Sequence, residues 1–266
     1  MMNGLPCIIR ILDPPLHSFI PSDPKEQQKL AAELHVPIET IVQQNIRLAE
    51  NNPMLGLRGS RLAVMYPEFV EFQAKAVLIA ALECIEEGFQ PVVCFECPMI
   101  SSVKELVFIK RLIAEMARET GAADKIRYKV GLLIEIPRAA LTADELAKEA
   151  DFMHFGSTYL TQLSCGFSVE DSEKFIDTYV NLGVYWKNPF VTLDMKGVGE
   201  LMKIGFEKAK KAKKGIRIGA SGGHAHDPIS VEFYQKLGIS ELCCPASKIP
   251  VAKIAATQAA LKLNSI

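Results

Sequence analysis

Short apolar runs alternate along this chain with segments of helical pattern, and this alternation limits the folds that it can adopt. Seven runs predict β-strands, at residues 7–12, near residue 57, and at residues 92–97, 128–136, 151–156, 216–220 and 241–244. Each is followed by a helical pattern, which predicts parallel strands joined by crossover helices. An eighth strand is predicted near residues 163–167. Eight such units favour a single (β/α)8 TIM-type barrel over residues 1–266, with an open doubly wound sheet as the alternative.

Two predicted helix starts carry the residues of a capping box. Ser102 is followed three residues later by Glu105, and Thr142 is followed by Glu145. In this motif the hydroxyl and the carboxylate each accept a hydrogen bond from a backbone N–H group of the first turn. We therefore expect a helix to begin after each hydroxyl residue.

The composition excludes several classes of protein. The chain has 266 residues, of which 49% are hydrophobic and 23% charged, and its formal net charge is -1. This balance gives no electrostatic case for binding nucleic acid or an anionic membrane, and no apolar run reaches the roughly 20 residues of a membrane span. Because the first residues lack the basic and apolar regions of a secretory signal, we expect a cytoplasmic protein.

The cysteine pattern agrees with a reducing compartment. The seven cysteines are odd in number and lie mostly within apolar runs, which favours buried free thiols over a disulfide framework. Cys94 and Cys97 have the spacing of a metal or redox motif. They lie within a predicted strand, however, and no second ligand pair accompanies them, so we expect a structural role.

Several chemically capable residues follow predicted strands directly. Arg10, Arg58 and Glu135 each stand at or after the end of an apolar run, and Ser221 and Gly222 form a turn after another. In a barrel of parallel strands these positions meet at one rim, where two guanidinium groups and glycine-rich backbone can bind an anion. The alternative is that each arginine pairs with a structural carboxylate. Glu135 is the better candidate ligand, because a buried carboxylate needs a cation or donors.

Four stretches carry a resemblance to a known family across nearly the whole chain. They are residues 9–17 (IRILDPPLH), 52–62 (NPMLGLRGSRL), 134–141 (IEIPRAAL) and 193–199 (LDMKGVG). They resemble the C-terminal phosphoenolpyruvate/pyruvate-binding domain of the pyruvate phosphate dikinase family, which includes phosphoenolpyruvate synthase and Enzyme I. The resemblance implies a barrel in which phosphate passes between pyruvate and a phosphohistidine on another domain, with a magnesium ion. We expect neither that histidine domain nor a nucleotide-binding domain here.

The resemblance assigns roles to individual residues and also exposes a departure. Arg10 and Arg58 match the family's phosphate-contacting arginines, and Glu135 matches one of its two magnesium-binding carboxylates. The second carboxylate belongs to a TNDLTQ pattern that here reads STYLTQ, so Tyr159 occupies the aspartate position and Thr158 the asparagine position. A neutral phenol is a poor ligand for magnesium, which prefers hard oxygen ligands in octahedral geometry.

A second departure concerns proton transfer. The family's GICGEHGGDP pattern supplies a cysteine acid, and the corresponding residues 219–228 read GASGGHAHDP, which places Ser221 at that position. A serine hydroxyl is a much weaker acid than a thiol, whose pKa is about 8.5. In the same loop Gly223 replaces a glutamate and His226 a glycine, and Val169 replaces an arginine elsewhere. Alternatively, His224 or His226 substitutes for the acid, or both histidines and Glu135 form a different metal site.

These departures predict a stand-alone, degenerate copy of the dikinase domain that is catalytically inactive and serves as a structural or interaction component. Two alternatives stay open: a module that senses a phosphoenolpyruvate-like or carboxylate anion, and a phosphotransferase subunit that needs a separate phosphohistidine domain. We expect no cofactor, with weak or lost magnesium binding. A protein partner in a larger assembly, cytoskeletal or organellar, or a homodimer is expected.

Overall fold

The computed structural model describes residues 2–264 and forms an α/β structure, as the alternation predicts. Its strands are β1 (Pro6–Arg10), β2 (Val92–Cys97), β3 (Tyr128–Ile134), β4 (Phe152–Gly156), β5 (Arg217–Ser221) and β6 (Glu241–Cys243). Its α-helices are α1 (Pro24–Glu33), α2 (Ile38–Leu48), α3 (Ser60–Met65), α4 (Glu68–Glu86), α5 (Val103–Glu119), α6 (Pro137–Leu141), α7 (Ala143–Glu149), α8 (Ser157–Cys165), α9 (Val169–Ser172), α10 (Ile176–Asn181), α11 (Glu200–Ala212), α12 (Pro228–Leu237) and α13 (Ile249–Asn264).

The strands form one open sheet, so the prediction of a closed eight-stranded barrel is wrong. The order is β1-β2-β3-β4-β5-β6 and every pairing is parallel. Within residues 2–264, β1 and β6 have a ladder partner on one side only. The sheet curls into a half-barrel, and the carboxyl ends of all six strands lie along one rim.

The two predicted strands that are missing have local reasons. Near residue 57 the backbone bonds to loop groups instead of a ladder: the Leu57 N–H donates to Glu50 Oε1 at 2.7 Å and the Leu57 carbonyl accepts from the Leu16 N–H at 3.3 Å. Residues 163–165 belong to α8, which starts directly after β4 and continues for nine residues. β1 therefore pairs directly with β2.

The two predicted capping boxes have different outcomes. Ser102 and Glu105 form one at the start of α5, with Ser102 Oγ accepting from the Lys104 N–H at 3.3 Å and Glu105 Oε2 accepting from the Ser102 N–H at 2.9 Å. Thr142 makes no side-chain cap at α7. Its hydroxyl donates instead to the Arg138 carbonyl at 2.9 Å, because α6 ends at the residue just before it.

The outer face of the sheet carries the hydrophobic core. Phe95, Leu132, Met153 and Phe155 are fully buried there and belong to the same cluster as the inward-facing side chains of α4, α5 and α11. Burying an aliphatic or aromatic side chain of this size stabilises the folded state by about 1.5–3 kcal/mol. The packing on this face therefore holds the strands in place, and with them the strand ends. None of the helices within residues 2–264 combines the length and the apolar content needed to cross a bilayer.

The inner face of the half-barrel is polar at its centre. His154 on β4 lies between two carboxylates from alternate strands, with Nδ1 2.5 Å from Glu96 Oε1 and Nε2 2.8 Å from Glu241 Oε1. Burial disfavours the imidazolium, but the hydrogen bonds to Glu241 and Glu96 outweigh it and raise the pKa of His154 to about 9. These contacts between β2, β4 and β6 show how strongly the sheet curls.

Candidate functional site

The buried guanidinium of Arg58 forms the centre of the candidate site. Arg58 precedes α3 and is 2% exposed. Its Nη2 donates to Asp13 Oδ2 at 2.6 Å, and its Nε donates to Asp13 Oδ1 at 3.3 Å. A two-point arginine–carboxylate pair of this kind has fixed geometry and is stronger than a neutral hydrogen bond. The sequence left open whether Arg58 binds an anion or pairs with a structural carboxylate. In the structure it pairs with the carboxylate of Asp13.

Tyr159 completes the environment of Arg58. It lies in the first turn of α8, just beyond the end of β4. Arg58 Nη2 donates to the Tyr159 hydroxyl oxygen at 3.1 Å, and the guanidinium carbon lies 4.7 Å from the centre of the tyrosine ring. The contact combines a hydrogen bond with a cation–π interaction. Tyr159 thus stands at the sequence position to which the resemblance assigns a carboxylate, and its side chain contacts Arg58.

Arg10 is the more accessible of the two arginines. It is the last residue of β1, and its side chain is 41% exposed. Its Nη1 lies 3.8 Å from Asp13 Oδ2 and its Nε lies 3.7 Å from Glu96 Oε2. Both distances exceed those of hydrogen-bonded ion pairs, so Arg10 is held loosely and its guanidinium can still donate to an added anion.

Glu135 follows β3 directly and is 1% exposed. Its Oε2 accepts a hydrogen bond from the Met99 N–H at 2.8 Å. Burial, together with the charge of nearby Asp13, raises the pKa of Glu135 to about 7. Gly156 allows the close approach of this side chain, because a Cβ atom there would lie 2.5 Å from Glu135 Cγ. The carboxyl of the folded protein therefore titrates near neutral pH.

Ser221 and Gly222 form a compact turn against the start of α8. Ser221 is 5% exposed, and its carbonyl accepts from Ser157 Oγ at 2.9 Å. Gly222 has a φ of 113°, a region that favours glycine, and a Cβ atom there would lie 2.8 Å from Thr158 Oγ1. Thr158 Oγ1 also accepts from the Gly223 N–H at 3.3 Å. The Thr158 hydroxyl oxygen is therefore already engaged by the backbone of this turn.

The two histidines of the same loop differ. His224 is fully buried, with Nε2 2.8 Å from the Pro189 carbonyl oxygen and Nδ1 2.8 Å from Ser157 Oγ. Burial lowers its pKa. Since both ring nitrogens are engaged, His224 is not free to bind a metal with Glu135 and His226. Nδ1 of His226 is buried and has no hydrogen-bond partner among residues 2–264.

The structure brings the predicted site residues to one rim but adds others that sequence reasoning missed. Asp13 and Glu96 hold the two arginines, and neither was predicted as part of the site. Asp13 carried a usable signal, because it follows β1 by three residues inside a matched motif. Glu96 carried a weaker one, as a single charge within a buried strand. Cys94 and Cys97 are buried free thiols, with no bond between them.

The comparison with known proteins identifies the class to which this rim belongs. Residues 1–261 match the family described as PEP-utilising enzyme, PEP-binding domain, where PEP is phosphoenolpyruvate. The match covers nearly the whole chain and agrees with the motifs around Arg10, Arg58 and Glu135. The chain belongs to the PEP-utilising enzyme family, and the resemblance seen in its sequence is confirmed.

Two individual relatives show which branch of this family the chain resembles. The chain is 41% identical over 263 residues to pyruvate, phosphate dikinase of Clostridium symbiosum, covering 98% of this chain and 30% of that protein. It is 40% identical over 264 residues to pyruvate, phosphate dikinase 1, chloroplastic, of Oryza sativa subsp. japonica, covering 98% of this chain and 28% of that protein. The chain thus spans less than a third of the length of these relatives.

Proposed function

We propose that this chain is a catalytically inactive member of the dikinase branch that serves as a structural or interaction component. Its partner would be another protein in a larger assembly or a second copy of the chain. One observation carries the proposal: the Tyr159 hydroxyl accepts from Arg58 at 3.1 Å, at the position that the resemblance assigns to a magnesium-binding aspartate. Tyr159 both removes a metal ligand and engages an arginine expected to contact phosphate.

The donor set at this rim does not fit a magnesium ion. Magnesium needs hard, preferably anionic oxygen ligands in near-octahedral geometry, and a neutral phenol supplies neither the charge nor the shape. Glu135 is the remaining carboxylate of the expected pair, so the rim keeps one of the two anionic ligands that the resemblance assigns to magnesium. Among residues 2–264 no group of three His, Cys, Asp or Glu side chains is placed to hold a metal. We therefore infer that magnesium binding is weak.

The proton-transfer position supports the same proposal. Ser221 stands where the resemblance places a cysteine acid, and its Oγ lies 3.5 Å from the Phe155 carbonyl oxygen, at the limit of a hydrogen bond. None of its observed contacts would make the hydroxyl acidic, and a hydroxyl donates a proton far less readily than a thiol. The metal ligand missing at Tyr159 and the acid missing at Ser221 act in different steps of the parent reaction. Restoring one of the two residues would therefore not restore turnover.

A ligand-sensing function is the second candidate, and Arg10 favours it. Its guanidinium is 41% exposed and loosely paired, so it can bind a carboxylate or phosphate without any metal. Such binding would be independent of magnesium and would be lost in Arg10→Ala. If the chain is instead an inactive structural component, neither the Arg10→Ala variant nor the wild type binds the anion appreciably.

The inactive-site proposal is tested by restoring the carboxylate. Calorimetric titration with oxalate, a planar dicarboxylate that resembles the enolate of pyruvate, is carried out with and without magnesium on wild type, Tyr159→Asp and Tyr159→Phe. We expect magnesium to strengthen oxalate binding at least tenfold in Tyr159→Asp and to have no effect on the other two. Tyr159→Phe controls for the loss of the hydroxyl alone. Equal magnesium dependence in wild type and Tyr159→Asp would show that Tyr159 does not disable the site.

A further inference from the structure

A cavity lies away from the arginines, between the end of α10 and the segments that follow this helix. Its volume is about 750 Å³, and it is lined by residues 180 and 183–187, by Pro189 and by residues 192–196. A volume of this size lies within the range of small-molecule binding sites. Its lining contains none of the residues Arg10, Arg58, Glu135, Tyr159 and Ser221, and it borders their loop at Pro189, whose carbonyl oxygen lies 2.8 Å from His224 Nε2. The cavity is therefore a separate feature from the candidate site described above.

The wall of this cavity contains a buried hydroxyl without a partner. Thr192 is 4% exposed, and its Oγ1 has no hydrogen-bond partner within the described structure. Buried hydroxyl groups without a hydrogen-bond partner are rare in folded proteins and call for an explanation. The Oγ1 atom itself is buried within the wall, so a bound ligand would supply the missing partner after a rotation of the Thr192 side chain that turns Oγ1 toward the cavity.

Aromatic and basic side chains lie at the same cavity. Trp186 is 73% exposed, and Lys187 Nζ lies 4.8 Å from the centre of its ring. Tyr185 also lines the cavity and presents a second aromatic surface. An exposed tryptophan face beside an ammonium group suits a planar ring, which can stack on the indole while its substituent meets the lysine.

The charges around the cavity favour an anion. Lys187 and Lys196 both line it, and Asp194 is the acidic residue on its wall. The Asp194 carboxylate already accepts hydrogen bonds from the backbone N–H groups of Lys196 at 3.2 Å and Gly197 at 3.1 Å. Its charge is thus partly compensated by the local turn, and the cavity lining carries two lysines against this one carboxylate. A phosphate or carboxylate group is the complementary substituent.

We propose that this cavity binds an aromatic anion, a planar ring that carries a phosphate or carboxylate group. The ring stacks on Trp186, the anionic group pairs with Lys187 and Lys196, and a polar atom of the ligand hydrogen-bonds to Thr192 Oγ1. The site needs neither the arginines nor a metal, so it is independent of the inactive-site proposal. Its failure would leave that proposal unaffected.

The chain offers a direct optical test, because Trp186 is its single tryptophan. Fluorescence excited at the indole is titrated with four probes: phenyl phosphate, adenosine 5′-monophosphate, adenosine and inorganic phosphate. We expect saturable quenching by at least one of the two aromatic phosphates, and at least tenfold weaker binding of adenosine and inorganic phosphate. Quenching by adenosine 5′-monophosphate alone would identify a nucleotide; quenching by phenyl phosphate as well would identify a general aromatic anion. No saturable quenching by either aromatic phosphate would overturn the proposal.

Two variants test whether Thr192 and Lys187 take part in the binding. Thr192→Val keeps the shape of the side chain and removes the hydroxyl; we expect at least fivefold weaker binding of the quenching probe and an unchanged or higher Tm without ligand. Lys187→Ala should weaken the same probe at least tenfold, and Lys262→Ala, far along the chain on α13, serves as the matched lysine control with unchanged binding. Unchanged affinity in both Thr192→Val and Lys187→Ala would contradict the assignment.

Discussion

Replacing Arg58 by alanine is expected to lower the free energy of unfolding by about 3–5 kcal/mol, the range for removing one partner of a buried ion pair. The arginine is 2% exposed and binds both oxygens of the Asp13 carboxylate, at 2.6 and 3.3 Å. Alanine would leave that carboxylate buried without its partner and the Tyr159 hydroxyl without its donor. Urea denaturation at pH 7 measures the loss.

Arg10→Ala is the matched control, because it removes the same functional group from the same carboxylate. Arg10 is 41% exposed and lies 3.8 Å from Asp13, so we expect a loss below about 1 kcal/mol. Arg58→Lys, which keeps the charge but loses the two-point geometry, should fall between the two. If Arg58→Ala costs no more than Arg10→Ala, then Arg58 does not have the structural role described here.

Glu135→Gln is expected to stabilise the protein at pH 8 by about 3 kcal/mol, because burial raises the pKa of this carboxyl from its usual 4.5 to about 7. The folded state therefore binds more protons than the unfolded chain between these two values. Stability falls as pH rises through this window, and the cost is constant above it. Glutamine is neutral at every pH, and its side-chain oxygen can still accept from the Met99 N–H.

Thermal and urea denaturation at pH 5 and pH 8 measure this effect. The gain in Glu135→Gln should be below about 1 kcal/mol at pH 5, where few of these carboxyls are charged in the folded state. Glu87→Gln is the control at an exposed position, with a change below about 0.5 kcal/mol at both pH values. A loss of stability at pH 8 in Glu135→Gln would mean that the native site needs the charge, as a metal ligand would.

The alternation of strands and helices could be predicted from the sequence, and six strands lie where the apolar runs placed them. Whether the sheet closes into a barrel could not be predicted. Residue 57 and residues 163–165 have the apolar composition of short strands, but their backbone groups bond to Glu50 and within α8. A short apolar run does not reveal whether a neighbouring strand or a local group will satisfy its backbone, so the count of eight was too high.

Residues of the candidate site could be predicted where a chemically capable side chain lies at or directly after the end of a strand. Arg10, Glu135 and Ser221 lie at the same rim because the carboxyl ends of parallel strands meet there. Their partners were not predictable in this way: Arg58 is 45 residues from Asp13 and 101 from Tyr159 along the chain. Such distant pairs depend on the curl of the sheet and on loop paths, which local patterns do not encode.

Calorimetric titration of the wild-type protein with phosphoenolpyruvate, in the presence and absence of magnesium, tests most directly the claim that the rim no longer supports the parent chemistry. Because Tyr159 stands in place of the second carboxylate, we expect that magnesium will not strengthen binding, and that any weak binding through Arg10 will be the same with and without the metal. Tight binding that depends on magnesium would contradict the account.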